Sequence, residues 1–411
     1  MEILSLKKQC EWMDGNLETK LQMIPNMMNV NQIDMWIVFA KEYNEDPVLK
    51  YLTPSSFPTA RRLTCLIFTN TSEGFKRFNC GMPSSELAPY YENIFKGKDE
   101  EQFPFILELI KKINPKTIGL NFSEYFAIAD GISKQIFDRF TSSLPNDILG
   151  RIVSAEKLCI NYLETRIQKE IDMYYSICEL AMKIVEEGFS SKVITPGVTT
   201  NTDVMWWLKE KVHSLGMPFW FCPTVDIQRY GRLPIWDENE VIIQGDLLHV
   251  DFGLQYLGLC TDHQRLAYVP KDGETKVPEY LTNGLKINNH FQDIVRSNFK
   301  VGRTGNEVFS LSIEQAKKDG INATLYTHPI GHFGHGPGTT IGLFNQQGFI
   351  KGRGEYPLFA NTCHALELNI KTTISEFSDK EVAVFSEETV LFNGEDVVFL
   401  TEGREKIFLV S

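Results

Sequence analysis

Two stretches in the second half of this chain echo one another, and a chain that repeats itself folds its copies alike and packs them together. Thr195-Pro-Gly197-Val-Thr199-Thr-Asn-Thr-Asp-Val204, with a helical pattern running on to Gly216-Met217, is answered by Lys300-Val-Gly302-Arg-Thr304-Gly-Asn-Glu-Val308 and a helical pattern to Gly320-Ile321. A helix precedes each copy and strands follow it. Each strand pair carries two acids: Asp251 and Asp262 after the first copy, Glu367 and Glu387 after the second. The repeat predicts two halves related by an approximate two-fold, presenting four carboxylates to one centre.

At 411 residues the chain is too long for one hydrophobic core, and two domains are expected, 1–158 and 159–411, with the boundary near Cys159. In the first, Met35-Trp-Ile-Val-Phe39, Leu63-Thr-Cys-Leu-Ile-Phe68 and Thr117-Ile-Gly-Leu120 are short, continuously apolar strand candidates. Continuous rather than alternating apolar character suits strands covered on both faces, hence an α/β layer domain. Lys41-Glu-Tyr-Asn-Glu-Asp-Pro47 reads as a solvated loop. After the boundary, Thr165 with Gln168 fits a capping box, and Ile167, Ile171, Tyr174, Ile177, Ala181, Ile184 and Val185 recur at helical spacing, predicting a helix that packs on a sheet.

A hydrophobic content of 43% and a charged content of 23% exclude disorder as the main state. There is no apolar run of the ~18–20 residues a membrane span needs, and no secretory signal pattern at the start. Eight scattered cysteines without a CxxC pair resemble neither a disulfide framework nor a zinc ribbon, so a reducing cytoplasm is expected. The net charge of −12, with no basic block, argues against nucleic-acid or membrane-surface partners. Histidine use is uneven: of eight, none precedes His213, and seven lie between His249 and His364. Chemistry is therefore sought in the second half.

Leu247 to Val250 is an apolar strand that delivers Asp251, and Arg265 to Val269 starts just after Asp262, so a hairpin sets the two acids side by side. Close carboxylates repel and call for a cation. His364-Ala-Leu-Glu367-Leu-Asn-Ile370 and Ala383-Val-Phe-Ser-Glu387-Glu-Thr-Val-Leu-Phe392 repeat the design. Between them, Tyr326-Thr-His328-Pro-Ile-Gly331-His332-Phe-Gly334-His335-Gly-Pro-Gly338 is too rich in glycine and proline for a helix, and its glycines suggest backbone packed closely around a site. Two Asp, one His and two Glu suit a dinuclear centre in which carboxylates bridge the ions.

In these residues the chain resembles the pita-bread metallopeptidase family, which contains methionine aminopeptidase, aminopeptidase P and prolidase. The resemblance runs from about Glu164 onward; the preceding part looks like the creatinase/prolidase-type leading domain, and the two-domain Xaa-Pro branch is the nearest. It implies an α+β fold: a C-terminal pita-bread domain with a pseudo-two-fold, preceded by an α/β N-terminal domain. It also implies two divalent ions, manganese first, with zinc, cobalt or iron open. Asp262 and Glu387 would bridge both ions, Asp251 complete one site, and His328 with Glu367 the other. A bridging water would attack the scissile carbonyl of a short peptide, with Glu367 as general base and His335 steadying the oxyanion. A rival register, HxxGHF, would make His332 the ligand instead of His328. His249 and His263 read as neighbours of the ligands. A homodimer is a further implication.

Three positions depart from the Xaa-Pro branch: residues 214–248 contain no histidine, Leu368-Asn369 rather than proline follows Glu367, and Phe385 stands where arginine is usual. Three functions are therefore expected in order: a metal-dependent Xaa-Pro-type aminopeptidase; a dinuclear hydrolase or lyase of a small non-peptide substrate; and a non-catalytic pita-bread binding scaffold.

Overall fold

The computed structural model describes residues 1–229, 239–374 and 381–411; part of the histidine-free stretch, 230–238, lies outside them. The chain divides into two compact units, Leu4–Leu163 and Met1–Ile3 with Glu164–Ser411. The expected boundary at 158/159 falls within the helix Glu156–Glu164, which runs unbroken through Cys159.

The Leu4–Leu163 unit holds a six-stranded sheet of β1 Met35–Lys41, β2 Leu63–Thr71, β3 Gly74–Asn79, β4 Glu92–Asn93, β5 Ile118–Leu120 and β6 Ile152–Ser154, in the order β4-β3-β2-β1-β5-β6. The sheet is mixed, with β1 antiparallel to β2 and parallel to β5. Residues Met35 to Ala40 of β1 are all buried, the condition that a continuous apolar run meets. Met35, Ile37 and Phe39 form one cluster with Ile106, Ile110, Ile136 and Phe140 from the helices Gln102–Ile113 and Lys134–Ser142.

The second unit is mixed α and β. Its strands are β7 Thr224–Gln228, β8 Leu247–Phe252, the short pair β9 Gln255–Tyr256 and β10 Leu259–Cys260, β11 His263–Tyr268, β12 Ala323–Leu325, β13 His328–Ile330, β14 Thr362–Thr373, β15 Glu381–Phe392, β16 Val397–Phe399 and β17 Phe408–Leu409. The main sheet is ordered β12-β14-β15-β11-β8-β7, with β13 on β14, β16 on β15 and β17 on β11. β7-β8-β11 thus mirrors β12-β14-β15 across the β11·β15 seam.

The echoed segments take the same shape. Gly197 and Gly302 turn the chain at φ +85° and +82°, and Gly216 and Gly320 end the copies at +69° and +73°, a left-handed region that glycine enters without strain. Gly197 N–H donates to Ile242 O and Gly302 N–H to Leu358 O, at 2.7 and 2.9 Å. Thr200 and Thr304 cap fourteen-residue helices, Asn201–Ser214 and Gly305–Lys318, each hydroxyl accepting from the N3 backbone of Asp203 or Glu307.

The expected apolar face of the helix Gln168–Gly188 is buried from Ile171 to Val185. The capping box expected of Thr165 and Gln168 does not form. Thr165 is bridged to Thr362, which holds the chain extended there, and Ile167 N–H donates instead to the Glu170 carboxylate at 3.1 Å. Thr200→Ala and Thr304→Ala should each lower stability by about 1 kcal/mol. The double variant should lose the sum in chemical denaturation, because the caps share no partner.

Candidate metal centre

Register assembles the site. Asp251 on β8 is opposite Gln264 on β11, Gln264 is opposite Glu387 on β15, and Glu387 is opposite Glu367 on β14, so four polar residues from four adjacent strands form one row across the sheet. Asp262 enters one step before β11. Its N–H donates to Thr389 Oγ1 at 3.0 Å, and its carbonyl accepts from the same hydroxyl at 2.9 Å. His328 opens β13, opposite Ala365 on β14.

The five side chains fall into two overlapping groups whose ligand atoms lie within 4.8 Å of one another: Asp262, His328 and Glu387, and Asp251, Glu367 and Glu387. Glu387 is common to both. His328 Nε2 stands 3.5 Å from Asp262 Oδ2, 3.6 Å from Glu387 Oε1 and 4.0 Å from Glu367 Oε2. Asp251 Oδ1, Asp262 Oδ1 and both Glu387 oxygens are buried without a hydrogen-bond partner among the described residues. Such oxygens are costly unless a cation satisfies them. Carboxylates with one imidazole nitrogen fit a divalent ion such as manganese, zinc, cobalt or iron.

The electrostatics agree. Burial pushes Asp251 up to about 6 against the opposing pull of His249, and Glu367 up to about 8 against that of His328. Asp262 and Glu387 are driven well above the usual carboxylate range by burial first, and then by neighbouring charge, that of Asp251 and Glu367 on Asp262 and that of Asp262 and Glu367 on Glu387. Burial pulls His328 down, but Glu387, Glu367 and the Pro329 carbonyl together outweigh this and leave it raised.

The remaining histidines separate clearly. His335 packs edge-on to His328 with ring centroids 4.6 Å apart, and burial, His328 and Arg353 depress it to about 4, which keeps its ring neutral. His332 turns away: its Nδ1 meets Gly258 O at 3.0 Å and its Nε2 lies 3.4 Å from Glu170. His263 and His364 are fully buried, and burial keeps both below the usual range, His364 at about 3. His249 lies between Asp226 and Gln264, 3.0 Å from each.

The glycines of the 326–338 loop make room for a neighbour. A Cβ at Gly334 would sit 2.1 Å from the Trp220 ring, and one at Gly253 would sit 2.3 Å from Thr261 O. Trp220 donates Nε1 to that carbonyl at 2.9 Å and stands edge-on to His335. In front of the two overlapping carboxylate groups is a cavity of about 560 Å³, lined by Tyr326, His335, Phe344, Arg353, Glu367 and Phe385 among others. Arg353 is exposed, and no ion pair joins it to a carboxylate among the described residues.

Gln264, Asp226, Trp220 and Arg353 escaped the sequence reading. The first had a signal: Gln264 is two residues from Asp262 and thus faces the same side, as His249 does relative to Asp251. Arg353 lies in a loop without periodicity and had none.

A family model described as metallopeptidase family M24 matches residues 174–393. The chain belongs to metallopeptidase family M24. Solved structures similar to this M24 chain include an X-Pro aminopeptidase from Thermotoga maritima, with 18% identity, TM-score 0.64, and 94% of this chain and 100% of that one covered. A prolidase from Pyrococcus furiosus shows 17% identity and TM-score 0.59, covering 92% and 99%. The N-terminal domain of FACT complex subunit SPT16 from chickpea, Cicer arietinum, shows 12% identity and TM-score 0.63, covering 97% and 99%. A comparison with curated proteins finds no match. At these identities the neighbours establish the M24 pita-bread fold with its leading domain. No helix among the described residues is long and apolar enough to cross a membrane, and no disulfide joins any of the eight cysteines.

A carboxyl with a folded pKa above its unfolded value favours folding less as pH rises. For Asp251 the window runs from the ordinary 3.8 to about 6, and for Glu367 from 4.5 to about 8. In chelator, the melting temperature of this M24 chain should therefore fall as pH climbs from about 4 to about 8. Added divalent cation should restore it at the alkaline end, by binding the folded state alone. A melting temperature that rises with pH in chelator, or ignores added cation, contradicts the site.

Proposed function

We propose that this chain is a metal-dependent peptidase that removes the N-terminal residue of short peptides, Xaa-Pro peptides included, with two divalent ions, manganese first among them. The observation that carries the reading is the pair of ligand groups sharing Glu387, buried in one row of the sheet and facing a cavity. Asp251, Asp262, His328, Glu367 and Glu387 would hold the ions, and the position of His332 against Glu170 supports His328 as the imidazole ligand. Bound there, divalent ions supply Lewis-acid polarisation of a carbonyl and acidification of water.

The protein groups then have distinct tasks. Glu367, at the cavity wall, accepts the proton of the attacking water and passes it to the leaving amine. His335, neutral in the physiological range, donates an N–H to the oxygen on which charge develops. Arg353 offers a guanidinium to the free carboxylate of a short peptide, which favours dipeptides and tripeptides over long chains. The cavity, about 560 Å³, is of a size for such a substrate. A cytoplasmic location and a homodimer complete the proposal.

Manganese-loaded protein should bind roughly two ions per chain and cleave a panel of Xaa-Pro dipeptides and tripeptides. Asp262→Asn should lose activity about a hundredfold or more. Arg353→Met should raise KM for dipeptides about tenfold with a smaller change in kcat. Bound metal with every peptide inert would move the reading to a small non-peptide substrate, for which the aromatic wall of Tyr326, Phe344 and Phe385 offers a surface. Failure to bind metal at all would leave the binding scaffold.

A further inference from the structure

Behind Glu367 a row of side chains reaches across three strands. Asp226 Oδ2 on β7 lies 3.0 Å from His249 Nδ1 on β8, His249 Nε2 lies 3.0 Å from Gln264 Oε1 on β11, and Gln264 Nε2 donates to Glu367 Oε1 at 2.5 Å. Asp226, His249 and Gln264 are all buried, at 7%, 4% and 2% exposure. The His249 ring is clamped from one side by Phe385, with ring centroids 4.8 Å apart. β-sheet register makes the row possible, since Asp226 is opposite His249 and Gln264 is opposite Asp251, two residues from His249 along β8 and so on the same face.

We propose that Asp226, His249 and Gln264 form a positioning relay that fixes the Glu367 carboxylate in a single orientation, one oxygen held by the amide and the other turned to the metal-binding group. The polarity of the relay is determined at its two ends. Asp226 is an acceptor for His249 Nδ1 at one end, and the Glu367 carboxylate is an acceptor for the Gln264 amide at the other. That pins the Gln264 oxygen toward the histidine and its NH2 toward Glu367. The reversed amide would set an oxygen against the carboxylate and lose the bond to Glu367. Glu367 Oε1 is thus engaged by an amide, and Oε2 lies 4.0 Å from His328 Nε2. A carboxylate that must act on a substrate and also hold an ion gains most from such a restraint, because freedom about its last torsion weakens both tasks.

The relay rests on Glu367 serving the proposed centre, but one of its tests needs no peptide. Gln264→Met keeps the volume and removes the amide; Asp226→Asn keeps the shape and removes the terminal acceptor charge. In holoprotein titrated with a chelator, Gln264→Met should release metal about ten- to a hundredfold more readily than wild type, and Asp226→Asn should shift in the same direction by less. With a cleaved peptide, both should lower kcat while KM stays within about threefold. The double variant should be no worse than Gln264→Met alone, since a chain broken at Gln264 no longer transmits anything from Asp226. Thr304→Ala, which removes the cap of the helix Gly305–Lys318 and touches none of the proposed ligands, is the comparison for simple loss of stability. It should lower the melting temperature and leave kcat unchanged. Additive effects of Asp226→Asn and Gln264→Met, or metal release and kcat that follow the melting temperature alone as in Thr304→Ala, would overturn the relay. If wild type holds metal but cleaves no peptide, the peptidase reading fails, and the chelator titration still decides the relay.

Discussion

Mutual repulsion of carboxylates is the constraint around which the second unit is built. Two unit charges about 4 Å apart oppose each other by roughly 4 kcal/mol at the effective dielectric of a protein, and burial adds a desolvation cost to each. Four such groups are held together here with a single histidine among them. No amount of apolar packing nearby removes that cost; a cation does. The sheet accepts the strain because its strands are tied down on both flanks by capped helices and by the core that includes Leu247, Leu266, Leu366 and Val390.

The pseudo-two-fold explains why the acids come from four strands rather than one loop. Each half supplies two, and the halves meet at the β11·β15 seam, where Gln264 is opposite Glu387. The surrounding shell is not symmetric. His249 and its partners stand behind the first half, and His328, His335 and the glycine-rich loop stand before the second. A symmetric frame thus carries a directional site, with one wall that binds and orients and another that holds a carboxylate still.

Much of this was legible in the sequence because it is local or periodic. The turns at Gly197 and Gly302, the caps at Thr200 and Thr304 and the buried stripe of the helix Gln168–Gly188 follow from short-range rules, and the acids stood out as charges inside apolar strands. What stayed hidden depends on tertiary partners. Thr165 has the pattern of a cap, yet a bridge to Thr362, far along the chain, takes its backbone out of the helix. His328 and His332 stood as rival ligands, and only the fold sends His332 toward Glu170 and Gly258 while His328 faces the acids. Gln264 reads as an ordinary strand residue until Glu367, Glu387 and His249 are placed around it.

The two-way bond between Thr389 and Asp262 lies across the same seam. Side chains alternate faces along a strand, so a slip of one residue at β11·β15 would send Glu387 to the far side of the sheet. The register that aligns Glu387 with Gln264 and Glu367 is the one that assembles both ligand groups. An ion bound by those groups would therefore favour that strand alignment by mass action, coupling metal binding to folding.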